Sequence, residues 1–321
     1  MPHYQTIVVA GAGVFGTAMA ERLCWNTTNT VIIHSIEADV VADINRNHRN
    51  SKYFPTHFLN TAIRATGDNA IFASADYILL VIPSKAIISF CKEIEAMVKP
   101  SCLVINLAKG MSDDGAFITE QLPFERTASM KGPSFAIEVL HGLPTAFTFG
   151  GKREDFQLFK RDCLVSTGFS LDYTDDIRSV ELMSILKNMY AIAIGLVSGR
   201  FNSPNVDFLI YTKAVAEMRA FLSLYGCSTE TIFRYCGIGD LGLTSLNDLS
   251  RNRTLGLLMG KGFSLDNGHS ATVIEGSRTV RLMGSLVKEH NKSEEFPIVS
   301  AIYALMYEGA SLNDYMQAVF S

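Results

Sequence analysis

Lys187 is the only cation in the run from Val180 to Gly199, VELMSILKNMYAIAIGLVSG. The run is apolar on nearly every side and free of proline, which predicts a buried helix in the interior of a large fold. Lysine is almost never fully buried without a partner, and desolvation disfavours its charged form. A lysine so placed can give and take a proton near neutrality. The competing reading puts Lys187 at a helix edge, its head snorkelling to water.

A second group of residues suits an anion. The stretch CGIGDLGLTSLNDLSRNRT, residues 236 to 254, interrupts the helical pattern with glycines and gathers Asp240, Thr244, Ser250, Arg251 and Asn252. Its composition is that of a ligand loop. Ser250 is a good N-cap for a helix starting at Arg251-Asn252, so free amides, the helix dipole and a guanidinium would converge on a phosphate ester. The same residues are also compatible with a plain capped helix carrying a solvated Arg251. Asp240 reads either as a turn-former or as the carboxylate that holds a lysine ammonium.

The third group is Gly11-Ala12-Gly13-Val14-Phe15-Gly16, set between the β-branched run QTIVVA and the helical TAMAERLCW. The first glycine permits a tight turn, the second lets a pyrophosphate approach the backbone, and the third lets helix pack on strand. A second strand, VIIH, ends at His34. The acid expected at a ribose 2′-hydroxyl falls among His34, Ser35, Ile36 and Glu37, which specifies neither NAD nor NADP.

These groups need elements to position them. Strand-like runs recur at TAIRAT, YILLVIP, CLVINLAKG, TASMKG, TAFTFGG and FSLDYT, with helical segments around 85–97 and 152–164. Strands alternating with helices predict a mostly parallel sheet, covered on both faces. Pro83-Ser84-Lys85, Ala108-Lys109-Gly110 and Lys131-Gly132-Pro133-Ser134 stand at strand ends, where ligands of open α/β sheets gather. Lys85 also reads as a solvated helix start and Gly132-Pro133 as an ordinary turn. From Asp175 onward the pattern is helical, at 178–199, 205–225, 228–236, 251–260, 272–288 and 295–308. The expected organisation is a Rossmann-type α/β domain, residues 1–175, followed by an all-helical domain, residues 176–321.

The totals narrow the partners. A chain of 321 residues, 48% hydrophobic, can form two full cores, and a formal net charge of -4 offers no polybasic field for nucleic acid or anionic lipid. Neither a signal peptide nor a membrane span is read at the N-terminus, so a cytoplasmic protein is expected. Cys24, Cys91, Cys102, Cys163, Cys227 and Cys236 lack zinc-site or disulfide spacing and read as reduced core residues.

The motifs together resemble the soluble, bacterial-type NAD(P)-dependent glycerol-3-phosphate dehydrogenases. The resemblance rests on GAGVFGTAMA (11–20), LAKG (107–110), GPSFAIE (132–138), GLPTA (142–146), LKNMYAIAIG (186–195), GIGDLGLT (237–244), DLSRNRTLG (248–256) and VIEGSRT (273–279), in order along nearly the whole chain. It implies interconversion of dihydroxyacetone phosphate and sn-glycerol 3-phosphate with NAD(P)H and without a metal, serving glycerophospholipid synthesis, and it favours a homodimer. It implies that Lys187 exchanges the proton at the C2 oxygen and that Asp240 orients it. Lys109, Gly132, Ser134, Ser250, Arg251 and Asn252 would complete the substrate site. Gly11, Gly13, Val14, Phe15, Gly16, Lys109, Ala136, Arg251, Val273 and Glu275 would lie on the cofactor side.

Some positions depart from that family's pattern. His34-Ser35-Ile36 stands where Trp-x-Arg or Trp-x-His is frequent, and Asn205-Val206-Asp207 reverses the charge of a usual N-x-R. Lys131 replaces a small serine before the Gly-Pro pair, and Ala108 a serine or threonine before Lys-Gly. Asp207 and Lys131 also suit a dehydrogenase of another phosphorylated polyol or hydroxy acid. A third reading is a nucleotide-binding sensor that has lost turnover.

Overall fold

The computed structural model describes residues 4–112, 115–263 and 275–321. Eight strands form one sheet: β1 (Gln5–Ala10), β2 (Asn29–His34), β3 (Arg64–Thr66), β4 (Tyr77–Leu80), β5 (Leu103–Asn106), β6 (Thr127–Lys131), β7 (Thr145–Gly150) and β8 (Phe169–Thr174). Their order is β3-β2-β1-β4-β5-β6-β7-β8, and every neighbouring pair is parallel except β6 with β7. A strand covered on both faces has no polar side to show, so YILL of β4 and LVIN of β5 are buried throughout. Alternate side chains serve different cores. Ile7 and Val9 of β1 join a cluster with Met19, Ala20, Phe159 and Cys163. Val8 and Ala10 join a second cluster with Ile87, Cys91 and Ile94.

Helices α1 (Val14–Leu23), α2 (Ala38–Asn47), α3 (Ser84–Ile94), α4 (Ala136–Leu140) and α5 (Arg153–Cys163) belong to this half. The second half contains α6 (Ile177–Phe201), α7 (Pro204–Leu224), α8 (Asp240–Ser245), α9 (Arg251–Gly260), α10 (Glu275–Glu289), α11 (Pro297–Tyr307) and α12 (Leu312–Phe320). Packing divides the chain into two compact units, Met1–Glu181 and Leu182–Ser321. The strand pattern ends earlier, at Thr174, and α6 begins inside the first unit.

Several local expectations are corrected. Of TAIRAT only Arg64–Thr66 is strand, because Ile63 closes a turn by donating its N–H to the carbonyl of Asn60. The span 228–236 is not a regular helix: a 3-10 turn covers Thr229–Phe233 and a π turn covers Tyr235–Gly239, kinked at Gly237. Residues 236–254 are not one open loop, since they contain the whole of α8. The start of the expected helix 272–288 lies in part outside the described residues, and α10 is seen from Glu275.

Helix α6 is long and apolar enough to cross a membrane by length and composition, but its apolar window is wholly buried inside the protein. Its outward faces are taken by other helices. On α7, Glu217 is buried and accepts hydrogen bonds from the Tyr190 hydroxyl of α6 (3.0 Å) and from the backbone N–H groups of Ile298 (2.6 Å) and Val299 (3.3 Å). One carboxylate thus satisfies two open amides at the start of α11. All six cysteines are free and buried, and burial pushes the thiols of Cys24, Cys91 and Cys102 up to about 12.

Candidate active site

In the first unit the glycine turn is built for an anion. Gly11 has φ +121°, and a Cβ there would stand 2.8 Å from the carbonyl oxygen of Val81. At Gly16 a Cβ would come within 2.0 Å of the Gly11 carbonyl oxygen, so only glycine lets α1 sit this close to β1. Gly13 differs: nothing lies within 4 Å of its missing Cβ, which leaves the approach open. It is also the N-cap of α1 without a side-chain cap, so the first amides of the helix, at Val14, Phe15 and Gly16, remain for a ligand. These features fit a dinucleotide diphosphate. Asn50, which sequence reasoning missed, braces the turn: its buried Nδ2 donates to the Ala12 carbonyl (2.8 Å) and to Thr17 Oγ1 (2.8 Å).

At the end of β2 the His34 ring is buried between Phe72 and Phe90, with centroids 5.0 and 5.7 Å away, and burial lowers its pKa. It therefore presents no charge there. Ile36 is 92% exposed, and Glu37 is ion-paired with Lys52 and accepts from the Tyr53 hydroxyl at 3.2 Å.

Strands β1, β4, β5 and β6 run parallel, so their carboxyl ends share one edge of the sheet. Lys109 follows β5 there, half-buried, and its ammonium has no partner among the described residues. Gly132 follows β6; a Cβ on it would lie 2.3 Å from the carbonyl oxygen of Ala146. Ser134 Oγ donates to the Gly132 carbonyl at 3.1 Å, and Ala136 opens α4, which packs on α1.

The second unit resolves both readings of Lys187. The side chain is 1% exposed and ion-paired with Asp240, which is equally buried, so the lysine does not snorkel. Asp240 is the first residue of α8; its Oδ1 also receives the Thr244 hydroxyl at 3.4 Å, while its buried Oδ2 accepts no hydrogen bond among the described residues. The preceding π turn is fixed by the Tyr211 hydroxyl, which donates to the Ile238 carbonyl at 2.8 Å.

A repeating contact aligns α9 with α6. A Cβ on Gly256 would meet the Ile192 carbonyl oxygen at 2.0 Å, and one on Gly260 the Leu196 carbonyl oxygen at 2.1 Å. One turn earlier, Asn252 Nδ2 donates to Asn188 Oδ1 at 3.0 Å. The steps 188, 192, 196 against 252, 256, 260 show two parallel helices in backbone contact along a four-residue ridge. That register places the start of α9 beside Asn188, the residue that follows Lys187 on α6. Ser250 caps this start by accepting the Arg253 N–H at 3.3 Å, and Arg251 is exposed without a side-chain partner among the described residues. Asn252 also accepts the Gly276 N–H at 3.1 Å, and Asn188 donates to Glu275 at 3.4 Å, which seats the first turn of α10 in the same cluster.

Comparison with known proteins identifies the family. Residues 6–157 match the N-terminal, and residues 176–317 the C-terminal, region of NAD-dependent glycerol-3-phosphate dehydrogenase. A glycerol-3-phosphate dehydrogenase (NAD(P)+) of Methanothermobacter thermautotrophicus is 32% identical, covering 97% of this chain and 96% of its own. The chain belongs to the NAD-dependent glycerol-3-phosphate dehydrogenase family. The enzyme of that name from Parvibaculum lavamentivorans is 31% identical over 99% of this chain and 97% of its own. The crystal structure of glycerol-3-phosphate dehydrogenase from Coxiella burnetii, 28% identical, superposes with a TM-score of 0.86 over 99% of this chain and 98% of its own.

Within this family member, Lys187, Asp240, Ser250, Arg251, Asn252 and Glu275 gather in the second unit, whereas Gly11, Gly13, Val14, Phe15, Gly16, Lys109, Gly132, Ser134 and Ala136 stand along the first sheet's carboxyl edge. Val273 lies outside the described residues. The glycines of the α6–α9 contact were missed, although Gly195-x3-Gly199 and Gly256-x3-Gly260 were legible as small-residue spacings. Of the family departures, Asp207 falls in the first turn of α7, where the helix dipole favours a carboxylate. Lys131 is 2% exposed and donates to the Asn106 carbonyl at 2.8 Å.

Proposed function

We propose that the protein is an NAD(P)-dependent oxidoreductase that interconverts dihydroxyacetone phosphate and sn-glycerol 3-phosphate. The observation that carries this reading is the buried Lys187–Asp240 pair on a helix, α6, that packs against the capped, arginine-bearing start of α9. A protonatable side chain on α6 and an anion end on the helix packed against it match a substrate with one reacting carbonyl and one phosphate.

In the direction of reduction, the bound nicotinamide supplies the hydride to C2. Lys187 polarises the C2 oxygen and delivers its proton. Asp240 holds the ammonium in place through Oδ1, and its unused Oδ2 has capacity for a substrate hydroxyl. Ser250 fixes the first turn of α9, and the amides there with the guanidinium of Arg251, which has no partner among the described residues, hold the phosphate. For a substrate role of Lys109, Gly132, Ser134 and Asn252, and a cofactor role of Gly11 to Gly16, Ala136, Val273 and Glu275, the support is family likeness. The product suits glycerophospholipid synthesis in the cytoplasm by a homodimer; for pathway, location and assembly the support is family likeness.

The test is oxidation of NADH and of NADPH by purified protein with dihydroxyacetone phosphate, alongside other phosphorylated and unphosphorylated ketones. Turnover selective for dihydroxyacetone phosphate supports the reading. Binding of both cofactors without turnover of any ketone overturns it, and selectivity for a different phosphorylated ketone transfers the chemistry to another substrate. Sedimentation of the same sample reads the subunit number.

A further inference from the structure

We propose that Lys131 is a positioning residue that sets the loop carrying Lys109; this rests on the reading that Lys109 holds the substrate. A fully buried ammonium costs several kcal/mol of desolvation unless it is paired and hydrogen-bonded. An uncharged residue would avoid that cost, so the charge needs a task. The task is visible in what it grips.

Lys131 is the last residue of β6, and its backbone is held in register opposite Thr148 of β7. The next residue, Gly132, lies so close to the Ala146 carbonyl that no side chain fits. The base of the lysine is therefore rigid. Its ammonium reaches across to β5 and donates to the carbonyl of Asn106, the last residue of that strand, at 2.8 Å.

Asn106, itself fully buried, passes the constraint on. Its Nδ2 donates to Glu181 Oε1, which fixes the amide orientation, because a carboxylate oxygen takes the donor end. Its Oδ1 must then face the chain, where it accepts the Ala108 N–H at 3.0 Å. Glu181 is held in turn by the Thr119 hydroxyl at 3.1 Å and the Thr119 N–H at 3.3 Å. Two residues after Ala108 comes Gly110, at φ +128° and with Ser84 Oγ 3.0 Å from its absent Cβ. Lys109 thus stands between a clamp and a glycine turn, and the clamp is anchored by Lys131.

The experiment is steady-state kinetics of Lys131→Met, Lys109→Ala and the double variant, with NADH affinity read separately by fluorescence titration. A positioning role predicts that Lys131→Met raises KM for dihydroxyacetone phosphate about tenfold while kcat falls less than about threefold. It predicts no further rise in KM when Lys131→Met is added to Lys109→Ala, and partial recovery of KM in Lys131→Arg. If Lys109→Ala raises KM but Lys131→Met does not, or if the two effects on KM add fully, the positioning role is overturned. If Lys109→Ala itself leaves KM unchanged, it is the role of Lys109 that fails. Should Lys131→Met not fold, Asn106→Ala carries the same test, because it releases the Ala108 N–H while leaving the lysine in place; an unchanged KM there also overturns the proposal.

Discussion

The carbonyl oxygen of Ile192 lies 2.0 Å from where a Cβ on Gly256 would stand. An alanine at that position cannot be accommodated by moving a side chain, because the obstacle is the backbone of α6. Alanine normally gains about 1 kcal/mol over glycine in a helix interior, but separating two helices in backbone contact costs about 2–3 kcal/mol and outweighs it. Gly256→Ala is therefore expected to lower the urea midpoint at unchanged m-value. Because α9 carries Ser250 and Arg251, the surviving folded enzyme should also show a raised KM for the phosphate ester. A neutral or stabilising substitution would mean that the helices are not pressed together in this register.

Lys187 and Asp240 should separate catalysis from stability. Lys187→Met is expected to reduce kcat by about a thousandfold, within the range of a lost general acid, and to destabilise the fold by about 3 kcal/mol because it leaves Asp240 buried without its cation. Adding Asp240→Asn to Lys187→Met removes the stranded charge, so stability should recover while turnover does not. Thermal melts and single-turnover rates on the two variants and the unaltered enzyme check this. Recovery of turnover along with stability would show that the lysine is structural.

Arg251 behaves oppositely. It is exposed and makes no hydrogen bond or ion pair among the described residues, so Arg251→Ala should change stability by less than about 0.5 kcal/mol. Its loss should raise KM for dihydroxyacetone phosphate by about a hundredfold, the scale of a charge-assisted, bidentate contact to phosphate. The same KM increase with an unphosphorylated ketone would rule out phosphate recognition.

Much of this was legible because physical constraints at those positions leave few choices. YILL and LVIN are buried on both faces and can only be read as strands of a covered sheet. Lys187 stood out because a cation inside a buried helix must have a partner, and Asp240 is that partner. Less legible were elements whose signal is short or polar. In α2 only Val40 and Ile44 are buried, too few to mark a period. Helix α8 was masked by its own glycine, Gly242, inside a stretch read as loop. Helix α12 carries a capping box, Ser311 with Asp314, a sequence signature that was available and unused. The partner of Lys131 was not legible at all, because a backbone carbonyl on a neighbouring strand leaves no trace in residue type.

The end of β2 predicts cofactor choice. His34 is kept neutral by burial, Ile36 offers no charge, and the acid that follows it, Glu37, already holds Lys52. A 2′-phosphate would meet a carboxylate with its cation already engaged, whereas a 2′-hydroxyl meets an acceptor. NADH should be preferred over NADPH by at least about tenfold in kcat/KM. Glu37→Ala should narrow that ratio by freeing Lys52. A preference for NADPH in the unaltered enzyme would contradict the assignment of this edge to the ribose.

Glu217 provides a pH signature of the helical unit. Burial raises its carboxyl from an ordinary 4.5 to about 7, against the lowering effect of hydrogen bonds from Ile298, Tyr190 and Val299. Between those two values the folded state keeps a proton that the unfolded chain has lost. Stability from this group is therefore greatest below pH 4.5 and falls as pH rises through about 7, by about 3 kcal/mol in all. Other carboxylates titrate in the acid part of that window, so the informative quantity is the stability difference between the unaltered protein and Glu217→Gln. Measured by urea unfolding, that difference should favour the unaltered protein at low pH and the Glu217→Gln variant above pH 7. A difference independent of pH from about 4.5 to about 8 would show that Glu217 is ionised in the fold throughout, and that the amides at the start of α11 hold it as a charged cap.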